Sequence, residues 1–317
     1  MMRNSYIYIM VMTMLFGASC INRADKQNSS RDEAVEQSVE ASTREFPYVA
    51  VPPHIAPQYR GEYVKAHFWD RFDFADTLSL TRVDSTALLK AYATWIQSCV
   101  GRQDGESVRG LMQRAAVSRT MLDRFASMSE ALLHDPNSPF RSDELYIAAL
   151  EVLLGSPYYD EYERMAPQYD LEMASQNRIG HKANDFRYTL ASGRSGSLYG
   201  LKCDFVLLYI NNPGCPMCRD IQADLLASPI VERFIKSGKL KILAIYPDRD
   251  LAEWRRHPLP KGWINGYDKG CVIERDRLYD LRAIPSMYLL DARKVVMVKD
   301  SSDVADIEYF LRSVVLE

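Results

Sequence analysis

The spacing of apolar residues changes once along the chain, close to residue 178. From Tyr59 to about Asn177, apolar side chains recur every three or four positions, which is typical of amphipathic helices. From His181 onward, short apolar runs are separated by turn residues, which is typical of strands that alternate with helices. We therefore predict an α+β protein, with an all-α domain over residues 46–178 followed by an α/β domain over residues 179–317.

The first part of the chain has aromatic stripes at helical spacing. Such stripes are more often core than ligand site, so we predict that they pack inside the helical domain. A helix is expected to begin at Asp84 or Ser85, which are good N-cap residues. Five aromatic residues are predicted to share the first helix: Tyr63, Phe68, Trp69, Phe72 and Phe74.

The second part of the chain predicts a sheet with helices between its strands. The apolar runs 205–210 and 240–246 are expected to be buried strands, and 263–267 a short edge strand. Further strands are predicted at 185–190, 284–291 and 294–299, and helices at 251–256, 276–281 and 303–315.

A Cys-x-x-Cys sequence follows the strand at 205–210. The turn residues 211–214 separate that strand from Cys215, and Pro216 is suited to the first position of a helix. A thiol at a helix N-terminus lies near unpaired N–H groups and the positive end of the helix dipole, which favour its thiolate. Cys218 follows one helical turn later, so the pair can exchange disulfides with a substrate.

Two other readings of this cysteine pair remain open, half of a zinc site or a static disulfide. A zinc site needs a second group of ligands at short spacing, and the sequence has no other Cys-x-x-Cys and no clustered histidines. We therefore predict redox chemistry, with Cys215 as nucleophile and Cys218 as resolving thiol, and neither a metal nor a cofactor.

The first twenty residues have the features of an export signal. Arg3 precedes an uncharged run from Tyr6 to Phe16, which is too short to span a bilayer, and Gly17-Ala18-Ser19 leads to Cys20. This resembles a bacterial lipoprotein signal over residues 1–19, with Cys20 lipidated and residues 20–45 as a disordered tether. The alternative is an ordinary cleaved signal. Both place the mature chain in the cell envelope, in the periplasm or at the outer membrane, where disulfides persist.

A net charge of −3 gives no case for nucleic acid binding.

Three separated segments together resemble the thioredoxin superfamily, in its extracytoplasmic TlpA/ResA-like branch. They are Asp185–Leu198, Leu207–Cys218 and Ala283–Asp291. The resemblance implies a central mixed sheet flanked by helices and a cis Pro285 that packs against the cysteine pair. It also implies substrate contacts at Ile284, Pro285, Pro216 and Met217, with disulfide-containing protein substrates and an upstream electron donor as partners.

The chain departs from that branch in three respects. Gly214 stands where an aromatic residue usually precedes the first cysteine, and Tyr209 and Ile221 occupy the two positions at which related proteins carry a buried acid. We therefore assign no general base. Three further cysteines remain, and the alternatives for them are a Cys203–Cys271 bridge, an additional redox role for Cys271, or buried free thiols: Cys99, Cys203 and Cys271.

The N-terminal part is similar to a helical domain of unknown function that precedes thioredoxin-like domains in lipoproteins of Bacteroidetes-type bacteria. Residues 63–74 carry this similarity, which implies no activity.

The leading hypothesis is a membrane-tethered thiol–disulfide oxidoreductase, working in the reducing direction. The alternative is a non-catalytic binding or scaffold lipoprotein. A thiol peroxidase is a third hypothesis, but Asn212 stands where peroxiredoxins place Thr or Ser.

Overall fold

The computed structural model describes residues 45–100 and 104–316. The predicted signal at 1–19, Cys20 and the tether up to residue 44 lie outside these residues. Within them, a helical domain is followed by a mixed sheet with helices on both faces, as predicted. No helix in the described ranges has the length and apolar character needed to cross a bilayer.

The helical domain is built from seven α-helices in its described part. A short 3-10 turn at Pro57–Tyr59 precedes the first helix, and a π-helix at Glu130–His134 follows the fifth. The α-helices are α1 Arg60–His67, α2 Ser79–Arg82, α3 Ser85–Val100, α4 Gly105–Ala115, α5 Arg119–Ser129, α6 Asp143–Gly155 and α7 Glu161–Ser175.

The aromatic residues of this domain form its core, as predicted. The indole of Trp69 lies within 6.2 Å of the rings of Tyr92, Trp95 and Phe125, measured between ring centroids. Asp84 caps α3 by accepting the N–H groups of the second and third residues beyond it. The single long first helix was wrong, because α1 ends at His67 and Asp73 accepts backbone N–H groups in a turn instead.

The sheet has seven strands in the described residues, in the order β2-β1-β5-β4-β3-β6-β7. Strands β3, β4 and β5 are parallel, and the other pairings are antiparallel. The strands are β1 Arg187–Leu190, β2 Ser195–Ser197, β3 Phe205–Ile210, β4 Leu240–Tyr246, β5 Ile264–Tyr267, β6 Ser286–Asp291 and β7 Val296–Ser301. The helices are α8 Pro216–Ala227, α9 Pro229–Lys236, α10 Leu251–Arg256, α11 Val272–Arg275 and α12 Val304–Leu316.

The central strand β3 is apolar throughout because helices or loops cover both faces of the sheet. Leu207 and Tyr209 point into the core beneath α8, α9 and α12, whereas Val206 and Leu208 point into the core on the other face.

Two predictions in this half were wrong. Strand β5 is internal, between β1 and β4, and the helix expected at 276–281 lies earlier, at Val272–Arg275.

Charged pairs connect the helical domain to the sheet. Asp143 at the start of α6 pairs with Lys299 of β7 at 2.6 Å, and Lys299 also donates to the backbone oxygen of Ala174. Three further pairs cross between the two domains: Arg141–Asp300, Arg277–Glu172 and Arg282–Asp170. The helical domain therefore contacts the sheet domain mainly at β7 and at the segment that precedes β6.

Candidate active site

The two cysteines of the Cys-x-x-Cys sequence lie at the start of α8, directly after the carboxyl end of β3. Cys215 is the N-cap residue of this helix, and Pro216 follows at its first position. The sulfur of Cys215 accepts a hydrogen bond from the backbone N–H of Cys218 at 3.3 Å. The sulfur therefore lies at the N-terminal end of the helix, beside backbone N–H groups that have no partner within the helix.

Cys218 has a different environment from Cys215. Its side chain is buried, whereas Cys215 is half-buried and reaches the surface. The backbone N–H of Asn212 donates to the Cys218 sulfur at 3.4 Å. Burial nonetheless raises the pKa of Cys218 to about 12, so its thiol is protonated at neutral pH. The pair thus consists of one accessible sulfur and one protected sulfur behind it.

Tyr209 lies beneath the two cysteines, at the second-last position of strand β3, before the loop that leads to Cys215. Its side chain is buried, and its hydroxyl donates to the backbone oxygen of Cys218 at 2.6 Å. Burial raises the pKa of Tyr209 above its ordinary value, and the nearby sulfurs of Cys218 and Cys215 raise it more. The sequence identified this position only as lacking an acid. The structure shows that a neutral hydroxyl supports the first turn of α8 there.

The loop before β6 forms the other side of the site. The peptide bond between Ile284 and Pro285 is cis, as the resemblance implied. Strand β6 runs antiparallel to β3 with Ser286 opposite Ile210, and this register places the loop beside the end of β3. The Cys215 sulfur consequently lies 3.7 Å from the backbone oxygen of Ile284. The structure therefore brings together Cys215, Cys218 and Ile284.

The other predicted substrate contacts lie around the same opening. Pro216 and Met217 are exposed on the first turn of α8, and 52% of the Met217 surface is accessible. Pro285 itself is buried. A surface formed by an exposed apolar side chain beside an accessible sulfur can receive an extended polypeptide.

A cavity of about 200 Å³ is lined in part by Cys218. Tyr209 and Asn212 line its inner wall, and Trp254 and His257 line its outer wall. Trp254 donates from its indole nitrogen to the side-chain oxygen of Asn265 at 2.7 Å, which fixes the wall. Sequence reasoning missed this cavity, because the residues 254–259 carry no pattern that indicates it.

The remaining cysteines of the described residues are free thiols at separate places. Cys99 is buried in the helical core, where burial raises its pKa to about 11. Cys203 contacts the backbone oxygen of Gly238 before β3, and Cys271 contacts the guanidinium of Arg249 beyond β5. Among the residues that the structure describes, no three His, Cys, Asp or Glu side chains form a group that could hold a metal ion.

Comparison with known proteins finds a family model for the N-terminal part and a solved structure that covers most of the chain. Residues 19–177 match a family model described as a domain of unknown function, DUF5106. A thioredoxin-like protein from Bacteroides caccae is 40% identical and aligns with 84% of this chain and 98% of its own length, with a TM-score of 0.79. No curated protein matches the chain.

Two other solved structures align with less than half of the chain. The C-terminal domain of an uncharacterized protein from Bacteroides fragilis is 48% identical, covers 43% of this chain and 98% of its own, and has a TM-score of 0.42. The thioredoxin domain of a thiol-disulfide oxidoreductase from Bacteroides vulgatus is 19% identical, covers 43% and 97%, and has a TM-score of 0.37.

Proposed function

The chain belongs to the thioredoxin-like proteins that carry an N-terminal DUF5106 domain, and from that premise we propose that it is a thiol–disulfide oxidoreductase acting through Cys215 and Cys218. The supporting observation is the geometry around Cys215. Its sulfur caps α8, lies 3.7 Å from the Ile284 backbone oxygen, and has Cys218 one helical turn behind it. Two thiols so placed can donate two electrons by forming a disulfide.

The reaction begins at the accessible sulfur. The Cys215 thiolate attacks one sulfur of a substrate disulfide, the substrate S–S bond breaks, and a mixed disulfide forms between Cys215 and the substrate. The first substrate thiolate is released and takes the proton from Cys218. The Cys218 thiolate then attacks the Cys215 sulfur, which breaks the mixed disulfide and releases the second substrate thiolate. The substrate gains two electrons and the pair becomes a disulfide.

The different burial of the two sulfurs supports this order of steps. Cys218 is buried and its pKa is raised to about 12, so it does not compete as the first nucleophile at neutral pH. Cys215 is accessible beside exposed Met217 and the backbone of Ile284. An extended substrate segment alongside the Ile284–Pro285 backbone would bring its disulfide to Cys215 first.

We further propose that the pair works in the reducing direction and that an upstream dithiol donor returns it to the reduced form. Its substrates are then disulfide-containing proteins of the cell envelope. The N-terminal sequence, with Arg3, the apolar run 6–16 and Gly17-Ala18-Ser19-Cys20, supports a lipid anchor at Cys20. Lipid labelling and membrane fractionation of a Cys20→Ser variant test this anchor, and retained labelling would contradict it.

The test of the activity is reduction of insulin disulfides, with dithiothreitol as the electron source. Cys215→Ser is expected to lose the activity, and Cys218→Ser is expected to accumulate mixed disulfides through Cys215. Cys271→Ser is the matched control, because it removes a buried thiol of the same domain. A non-catalytic scaffold predicts no activity in the unmodified protein and no mixed disulfides in any variant.

The direction is tested by the reduction potential of the Cys215–Cys218 pair. A potential below about −250 mV is expected of a reductant, and a potential near −120 mV would identify an oxidant. The second result would overturn the direction and leave the oxidoreductase assignment in place.

A further inference from the structure

The loop that faces Cys215 is attached to the helical domain on both sides. We refer to residues 283–286 as the proline loop. On its C-terminal side, the hydroxyl of Ser286 donates to Oδ1 of Asp300 at 2.5 Å. The other carboxylate oxygen of Asp300 and its backbone oxygen both accept from the guanidinium of Arg141, which precedes α6 of the helical domain. Three hydrogen bonds, two from Arg141 to Asp300 and one from Ser286 to Asp300, thus connect the helical domain to the residue after Pro285.

Asp300 is poorly suited to its position without that arginine. Its side chain is 7% exposed, and its backbone φ of 49° places it in the left-handed region. Burial raises the pKa of Asp300, and Arg141 and Ser286 act against that rise. A buried carboxylate that loses its cation must either take up a proton or move toward water. In both cases the acceptor of the Ser286 hydroxyl changes.

The N-terminal side of the loop has a similar attachment. Arg282 binds Asp280 of its own segment and donates to Oδ1 of Asp170 in α7 at 2.6 Å. Its guanidinium also lies 5.1 Å from the ring centroid of Tyr169, within range of a cation–π contact. The proline loop is therefore bounded on both sides by side chains that are bonded to the helical domain.

We propose that the helical domain positions the proline loop for substrate, with Arg141 acting through Asp300 and Ser286 as the positioning residue. This gives the domain of unknown function a role in the reaction, and it rests on the proposed oxidoreductase function. Arg141 touches neither sulfur, so its removal should leave the chemistry of Cys215 intact. Its effect should appear in the binding of a polypeptide that must pair with the backbone beside Pro285.

The primary variant is Arg141→Gln, with Arg178→Gln as the matched control. Arg178, at the end of the helical domain, forms a two-pronged ion pair with Glu144, which follows the interface residue Asp143. No hydrogen bond or ion pair of the described residues joins Arg178 to the proline loop. Two further variants separate the effect on the proline loop from a general weakening of the domain interface. Ser286→Ala removes only the hydroxyl contact, and Arg141→Gln with Asp300→Asn keeps an acceptor for Ser286 but leaves no buried charge unpaired.

Activity is measured as kcat and KM for insulin reduction, together with the rate at which a small disulfide reagent reacts with Cys215. Arg141→Gln and Ser286→Ala are expected to lower kcat/KM for insulin at least about fivefold, mainly through KM. Their reaction with the small reagent should stay within about twofold of the unmodified protein. Arg178→Gln and the double variant should stay within about twofold in both assays.

Hydrogen exchange of the backbone amides of residues 283–288 gives a readout that does not depend on activity. Arg141→Gln is expected to accelerate exchange there, and Arg178→Gln is not. Equal exchange in the two variants, or faster exchange with unchanged kcat/KM, would overturn the positioning role. If the unmodified protein reduces no disulfide, the proposed function fails and the catalytic part of this inference fails with it, whereas the exchange result still decides whether Arg141 holds the loop.

Discussion

The hydroxyl of Tyr209 donates a hydrogen bond of 2.6 Å to the backbone oxygen of Cys218. The side chain of Tyr209 is fully buried, and its ring stands edge-on to Trp263 with 6.1 Å between the centroids. The bond therefore connects the central strand β3 with the first turn of α8, whose N-terminus carries both thiols. The same hydroxyl lowers the pKa of Cys218, against the larger opposite effect of burial.

Replacing Tyr209 by Phe should slow the second chemical step more than the first. The variant leaves the Cys218 backbone oxygen without its donor, which should lower the free energy of unfolding by about 1–2 kcal/mol. It also removes a contact that favours the Cys218 thiolate, so the mixed disulfide should persist longer. Acid quenching followed by mass spectrometry of the mixed disulfide measures this lifetime.

Tyr279→Phe is the matched control for that variant. Tyr279 is equally buried, and its hydroxyl also donates to a backbone oxygen, that of Asn184 at 2.7 Å. We expect a similar loss of stability and an unchanged lifetime of the mixed disulfide. If both variants lengthened the lifetime equally, the effect would be general softening of the domain and Tyr209 would have no specific role.

Asp104 should stabilise the helical domain in a pH-dependent way. It caps α4 and binds Lys65 of α1. Burial raises its pKa, but Lys65 and Ser107 outweigh that effect and lower it to about 2 from an ordinary 3.8. A depressed carboxyl pKa stabilises the fold above the unfolded-state value, and this stabilisation is lost as the pH falls from about 4 to 2.

Asp104→Asn should therefore lower the free energy of unfolding at pH 7 by roughly 1 kcal/mol, because solvent screens part of the ion pair. The difference from the unmodified protein should shrink toward zero by pH 2, as urea denaturation at each pH would show. Asp250→Asn is the control, since Asp250 caps α10 and forms no ion pair with a basic side chain of the described residues. A difference that persisted at pH 2 would contradict the assignment.

The sequence predicted the strand, turn and helix around Cys215 because their signals are local. The apolar strand β3, the turn after it and the proline at the start of α8 all lie within twelve residues of Cys215. The spacing of apolar residues predicted the fold class, the resemblance implied the cis bond before Pro285, and the structure confirms both. The signal at 1–19, Cys20 and the substrate contacts remain predictions.

What the sequence did not predict depends on residues far apart in the chain. Arg141 and Asp300 are separated by 159 positions, and neither lies in a motif that indicates a partner. Strand β5 was expected at the edge because it is short, and only its pairing with β1 shows that it is internal. Phe72 and Phe74 were assigned to the first helix, but Asp73 between them favours a turn.

The two active-site thiols should differ strongly toward alkylation. Burial raises the pKa of Cys218 well above its ordinary value, so almost all of this thiol is protonated at pH 7. Iodoacetamide should therefore modify Cys215 but not Cys218 in the reduced native protein at pH 7. Fragment mass spectra of the peptide that contains both residues locate the label. Denaturation in urea should make the two equally reactive, and label on Cys218 alone in the native protein would reverse their roles.

Oxidation of the reduced protein should consume two thiols only, those of Cys215 and Cys218. Cys203 precedes β3 at its amino end, whereas Cys271 follows β5 beyond its carboxyl end. Because β3, β4 and β5 are parallel, the length of a strand, on the order of 20 Å, separates these two residues. A disulfide requires Cα atoms within about 7 Å, so the Cys203–Cys271 bridge left open by the sequence does not fit the fold.

Titration of free thiols in denaturant, before and after mild oxidation, should show a loss of two in the unmodified protein and in Cys203→Ser. It should show no loss in the Cys215→Ser, Cys218→Ser double variant, whereas a loss of four in the unmodified protein would mean that a second pair forms and that the sheet opens to allow it.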